Sequence, residues 1–238
     1  MRCKIMRFCN GRADEQAVIA KAMRKKIGNS MTEKTAPRRR AAQMSPEARK
    51  KQLIECAMIV FSEHGFSSSA IHTHVARVAG VSVPTVFSYF PTRFAIIEAV
   101  VRDVQRGIFA IIDKNLHDQT GLSVFDRLLG VVRGWAEAAE TNPILVRVFL
   151  NWSSSFQPEV EALYQEYVTT VVQQLESIIR DGQKNGEFDK EVDVHDAALI
   201  IQGSGHLIAH LKFSKYESRG MMKFLHNIVR GALQAELG

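Results

Sequence analysis

Residues 76–93 read A-R-V-A-G-V-S-V-P-T-V-F-S-Y-F-P-T-R, and this run constrains the fold more than any other part of the chain. A short helical pattern ends at Gly80. Ser82 opens a second short helix, and Pro91 closes it. Val81 precedes the capping serine and Val86 follows it by four residues, the spacing of a hydrophobic staple that sets the entry angle of a helix. Val86 and Phe90 share an inward face at i, i+4. Val83, Pro84, Thr85 and Ser88 are left outward. Two short helices joined at a tight glycine turn, the second with a small, polar and aromatic outer face, form a helix-turn-helix suited to the DNA major groove.

The charge distribution agrees with that reading. The overall formal charge of +6 hides a division: residues 1–110 hold 19 Lys and Arg against 8 Asp and Glu, while residues 111–238 hold 12 against 17. A basic head on an acidic body favours a polyanion partner for the head alone. Hydrophobic residues make up 46% of the chain, enough for a substantial core. No apolar run is long enough to cross a bilayer, and the cationic N-terminus lacks the apolar block of a secretory signal. Cys3, Cys9 and Cys56 are odd in number and have no metal-ligand spacing. A reducing cytoplasm, with the protein at the nucleoid, is therefore expected.

The remaining pattern is helical throughout. Residues 1–44 read as a flexible basic extension and arm containing Arg38, Arg39 and Arg40, and Met31 could serve as a start as well as Met1. Ser45-Pro46-Glu47 combines a cap, a first-turn proline and an acid at the positive end of a helix, and Gly65 ends that helix. Ser67-Ser68-Ser69 reads as a loop and cap, with Ile71, Val75 and Val78 on the buried side of the next helix. Thr92 can cap a long helix from Arg93 to about Lys114. Further helices are expected over Ser123–Glu140, Pro143–Trp152 (capped by Asn142), Glu159–Lys184, Asp193–Phe213 and Ser218–Leu237. The expected fold is all-α with about nine helices: a helix-turn-helix domain over 45–92 and a helical bundle for effector binding and dimerisation over 93–238.

Chemistry assigns roles within the head. Thr85, Tyr89 and Arg93 supply hydroxyls and a cation for phosphates at the groove rim. Val83 and Pro84, at the front of the helix, can touch thymine methyls. The three arginines of the arm suit a narrow, A·T-rich minor groove.

The run V-x-x-A-G-V-S-x-x-T-V-F-x-Y-F-P-T-R, with G-F ahead of it, resembles the DNA-binding domain of TetR-type transcription regulators. R-x-x-x-M-S-P-x-x-R-K-x-Q-L at Arg40–Leu53, V-S-V-P-T-V-F-S-Y-F-P-T-R at Val81–Arg93 and F-L-N-W-S-S-S at Phe149–Ser155 are similar to the LuxR/HapR quorum-sensing branch of vibrios. The resemblance covers about residues 38–215. It implies a homodimer on imperfect palindromic DNA, joined through the two C-terminal long helices and both repressing and activating target genes. It also implies that Thr85, Tyr89 and Arg93 contact phosphates, that Ser82, Val83 and Pro84 form the front of the recognition helix, and that Arg38–Arg40 form the arm. The chain departs from those relatives in a serine-rich loop after Gly65, in His72 and His74, in Phe94, and in Gln202-Gly203-Ser204-Gly205-His206.

Rival readings are weaker. His206 and His210 lie at i, i+4 but have no evident third ligand, so no metal and no cofactor are expected. His72 and His74 project to different sides of a helix and read as solvated. Gly203-Ser204-Gly205-His206 lacks the strand and elbow of a serine hydrolase, so no enzyme is expected; the small residues would let helices approach or leave room for a ligand. The body's aromatics have two readings, a plain core or the wall of a cavity for a small hydrophobic effector. In the second reading the lining would include Phe109, Trp135, Phe149, Trp152, Gly205 and His206. The competing function is a nonspecific nucleic-acid binder that uses only the charge of the head.

Overall fold

The computed structural model describes residues 44–116, 121–214 and 220–233. Within them nine helices follow one another: α1 (Pro46–His64), α2 (Ile71–Ala79), α3 (Val83–Tyr89), α4 (Arg93–Leu116), α5 (Val124–Thr141), α6 (Pro143–Ser153), α7 (Pro158–Lys184), α8 (Val194–Phe213) and α9 (Met221–Ala232). No strand occurs among the described residues.

Local chemistry accounts for most boundaries. Ser45, Ser82, Ser123, Asn142 and Asp193 each accept a backbone N–H of the first turn of their helix, which satisfies donors that a helix start leaves unpaired. Thr92 accepts the Ala95 N–H at 3.1 Å and starts α4. Gly80 ends α2 at φ 67° and ψ 33°, the left-handed conformation that a β-carbon disfavours.

Two sequence expectations are corrected. The cap position of α2 is Ala70, which has no side-chain bond, and Ser68 instead accepts the Ala70 N–H at 3.3 Å. The buried side of α2 is Ile71, His72, Val75 and Ala76, whereas Val78 is 38% exposed. With only nine residues, α2 packs α1 on one edge and α3 on the other, and that second contact turns His72 inward and Val78 out. The last helix is described over Met221–Ala232, and the outer parts of the span expected for it, 218–219 and 234–237, lie outside the described residues.

One apolar core runs through the described residues, from Leu53, Phe61, Ile71 and Val86 in the head to Trp152, Leu175, Ile208 and Leu225 in the body. In the head α1 packs on α2, and α2 on α3. Helices α4, α5, α7 and α8 form the body, with α6 between α1 and that bundle. The Asn151 amide donates to the Phe61 carbonyl at 2.8 Å and ties α6 to the end of α1. Cys56 lies in the core, and burial pushes its thiol pKa up, so it serves as a packing residue.

Candidate nucleic-acid interface and ligand cavity

Helix α3 has seven residues, too few to be stable alone, so its seat must hold it. Val86 is fully buried, and Phe90, just past the end, is nearly so. His72 supplies a brace that the sequence did not reveal. Its Nε2 lies 2.9 Å from the Phe90 carbonyl. That oxygen can only accept, so the ring carries its proton on Nε2. The other contact of His72 is a face-to-face stack on Phe87, with centroids 3.9 Å apart and planes 8° from parallel. His72, expected to be solvated, is 8% exposed.

The outward face of α3 is then Ser82, Pro84, Phe87 and Ser88. Phe87, at 45% exposed, was missed in the sequence, although it follows Pro84 at i, i+3 and so shares its side. Val83 and Tyr89 are half-buried against the core, so Val83 offers less surface than its outward assignment implied. The hydroxyls are partly committed to the backbone turn: Thr85 Oγ1 is 2.8 Å from Ser82 Oγ, and Ser88 Oγ donates to the Thr85 carbonyl at 2.7 Å. Lys50 and Lys51 of α1 and Arg77 of α2 are exposed cations of the head. Arg38, Arg39 and Arg40 lie outside the described residues.

Arg93 is placed differently from its phosphate assignment. Its guanidinium turns toward the protein and bonds the α1–α2 loop and the start of α7. The sequence could not show this, because the partners are 25 to 66 residues away.

A cavity of about 50 Å³ lies between α4, α5, α6, α7 and α8. Of the six residues expected to line it, Trp135, Phe149 and Gly205 do. The other three are placed elsewhere. Trp152 is fully buried, and its indole N–H donates to the Val160 carbonyl at 3.2 Å. Phe109 is half-buried with its ring centroid 6.0 Å from that of Tyr167. The His206 Nδ1 lies 3.1 Å from Ser153 Oγ. The walls are mostly branched aliphatic side chains, with Tyr167 and Gln202 as unforeseen polar members. Burial pushes the Tyr167 phenol pKa well up, so the phenol is neutral. The Trp135 N–H is spent on the Gly205 carbonyl at 2.7 Å, and a β-carbon at Gly205 would lie 3.4 Å from that nitrogen. Gly205 is thus a point of close helix approach. A wider cleft of about 870 Å³, with a more polar wall, is lined in part by Gly107 of α4 and Gly130 and Gly134 of α5.

Ser204 is buried and donates to the Ile201 carbonyl at 2.6 Å, so its hydroxyl is used within its own helix. The His206 and His210 rings are 4.8 Å apart. Desolvation first, and His210 second, hold His206 below its ordinary pKa. The unfolded chain then binds the proton more readily than the native protein does, so His206 subtracts stability as pH falls below about 6.5. His195 behaves oppositely. Its hydrogen bond to Glu176 raises its pKa, so that support is full below about 6.5 and fades as pH rises through the raised value. Thermal melts between about pH 5 and 7 are expected to show a shallower acid-side decline in His206→Asn than in the parent. Equal slopes would contradict the role given to His206.

Comparison with known proteins agrees with this architecture. Residues 121–210 match the family described as "Tetracyclin repressor-like, C-terminal domain". The HTH-type transcriptional regulator LuxR of Vibrio harveyi is 30% identical over 127 residues, 53% of this chain and 60% of that protein's length. The HTH-type transcriptional regulator BetI of Cronobacter sakazakii is 26% identical over 162 residues, 67% of this chain and 75% of that protein. The fold matches that of FadR from Bacillus subtilis, solved in complex with stearoyl-CoA, at TM-score 0.65 and 18% identity, covering 78% of this chain and 98% of that one. Both sequence relatives are named as transcriptional regulators. The chain is thus similar to TetR-type transcription regulators, in sequence over residues 121–210 and in fold.

Proposed function

We propose that this chain is a sequence-specific DNA-binding regulator of the LuxR/HapR kind, acting as a homodimer on palindromic operators and modulated by a small apolar effector. The observation that carries the reading is the seat of α3: Val86, Phe90 and His72 fix it so that Ser82, Pro84, Phe87 and Ser88 face outward. Pro84 and Phe87 suit thymine methyls, Ser82 and Ser88 suit base edges, and Thr85 and Tyr89 suit the backbone at the rim. The cations of α1 and α2, with Arg38–Arg40 of the arm, supply the salt-dependent attraction.

A second copy is the partner proposed for α8. Leu199, Ile200 and Leu207 are 39%, 52% and 49% exposed on it, and a β-carbon at Gly203 between them would meet nothing within 4 Å. An apolar stripe with a gap in it invites the same stripe from a twin. The mostly aliphatic lining, with Gln202 and Tyr167 as its polar members, suits an apolar effector with one polar group, and at about 50 Å³ the cavity must widen to admit it; the FadR neighbour was solved with an acyl thioester. Such a ligand acts only through unequal affinity for DNA-competent and incompetent states. The place of action proposed is the cytoplasm, at the nucleoid; among the described residues no helix is long and apolar enough to cross a membrane.

Selection from a random duplex pool with the purified protein tests this reading. The expected product is an inverted repeat whose half-sites lie about one helical turn apart, mirroring a two-fold dimer. An unenriched pool would leave only the charge of the head as the basis of binding.

A further inference from the structure

Arg93 is the first residue of α4 and directly follows the helix-turn-helix. A cation at a helix N-terminus is placed against the dipole, so its position needs a reason, and its three nitrogens provide one. The Nε donates to the Ser68 carbonyl at 3.4 Å. The Nη2 donates to the Phe66 carbonyl and, at 2.6 Å, to Gln157 Oε1. The Nη1 donates to Glu159 Oε1 at 2.9 Å. Gln157 also donates its Nε2 to the Phe66 carbonyl at 3.0 Å. Phe66 itself is buried, its ring stacked on Phe61 at 4.5 Å. The planar fork of Arg93 therefore joins the α1–α2 loop, the start of α4 and the start of α7 at one point. Gln157 stands at the cap position of α7 and makes no side-chain capping bond; its amide is used on this junction.

We infer that Arg93, Gln157 and Glu159 form a clasp that sets the angle of the helix-turn-helix on the helical body, and that Arg93 acts in DNA binding as a positioning residue and not as a phosphate contact. The inference rests on the DNA-binding reading above. Helix α7 also carries Tyr167, Val171 and Leu175 into the cavity wall, so the clasp stands at one end of an element whose middle faces the cavity.

The two roles for Arg93 predict opposite results. If it holds phosphate, removing the Glu159 carboxylate frees it and lessens repulsion of DNA, so binding tightens. If it is a clasp, the same change loosens the head and binding weakens. The experiment is a fluorescence-anisotropy titration of a selected operator duplex at several salt concentrations, using full-length Glu159→Ala, Glu159→Gln, Gln157→Ala and Arg93→Ala. Glu159→Ala and Gln157→Ala are each expected to weaken binding about 10-fold, the scale of one lost charge-assisted hydrogen bond. Glu159→Gln keeps an acceptor and is expected to retain near-parental affinity. The slope of log affinity against log salt should stay at the parental value in all four, because no phosphate contact is lost. Glu159→Ala binding as tightly as the parent or tighter would overturn the clasp. So would a slope shallower by about 0.9 per contact in Arg93→Ala. Glu159 is half-exposed in the first turn of α7, so its variants stay folded and decide the matter even where Arg93→Ala does not fold. A parent protein that prefers no duplex sequence would defeat the DNA-binding reading itself, and the clasp with it. A selective parent with unaffected Glu159→Ala and Gln157→Ala variants would defeat the clasp alone.

Discussion

Val86→Asp is expected to reduce affinity for a selected operator to the nonspecific level, a loss of about 10³-fold or more, while the body stays folded. Val86 is completely buried at the centre of a seven-residue helix. Such a helix cannot persist on its own hydrogen bonds; it exists because Val86 and Phe90 fill the core beneath it and His72 holds its last carbonyl. A carboxylate at position 86 must either take up a proton in an apolar site or pull the segment into water. The second is the cheaper response, since only α3 has to move. The body can be followed separately, because both tryptophans, Trp135 and Trp152, are in α5 and α6. Anisotropy titration should then show lost selectivity with native tryptophan fluorescence. Retained selectivity would mean that another surface reads the DNA.

Trp152→Ala is expected to be the most costly truncation for stability, at about 3–5 kcal/mol, out of the roughly 5–15 kcal/mol that a folded domain has in total. Trp152 is 0% exposed and is surrounded edge-on by Phe149 and Tyr164, with Tyr167 tilted against it at 5.2 Å. Its N–H joins the end of α6 to the first turn of α7. Removing the indole leaves a large void and takes the second donor from the Val160 carbonyl, and rings held by several neighbours cannot collapse into the space. The measurement is a urea titration followed by circular dichroism, with the midpoint lowered and the slope unchanged. A loss below about 1 kcal/mol would place the indole in an open ligand site, as the sequence reading had it.

What could be read from the sequence was decided over a few residues. Ser45, Ser82, Ser123, Asn142 and Asp193 cap helices because a short polar side chain reaches its own next turn. Gly80 ends α2 because its left-handed conformation disfavours a β-carbon. The inward placement of Val86 and Phe90 followed from spacing alone. What escaped depends on partners far along the chain. Whether His72 is wet or buried is set by how α2 rolls on α3. The same roll exposes Val78 and Phe87. Arg93 looks like a rim cation until Gln157 and Glu159 arrive from α7. The aromatic residues of the body could not be sorted into core and cavity wall, since Trp135, Phe149 and Trp152 have the same local pattern and differ only in which helices enclose them.

The central claim is that α3 reads base pairs and does more than lend charge to a polyanion. A competition titration at about 150 mM salt tests it most directly, with labelled operator displaced either by unlabelled operator or by a scrambled duplex of the same length and composition. The operator should compete at least about 10³-fold better than its scrambled counterpart. Equal competition by the two would contradict the account.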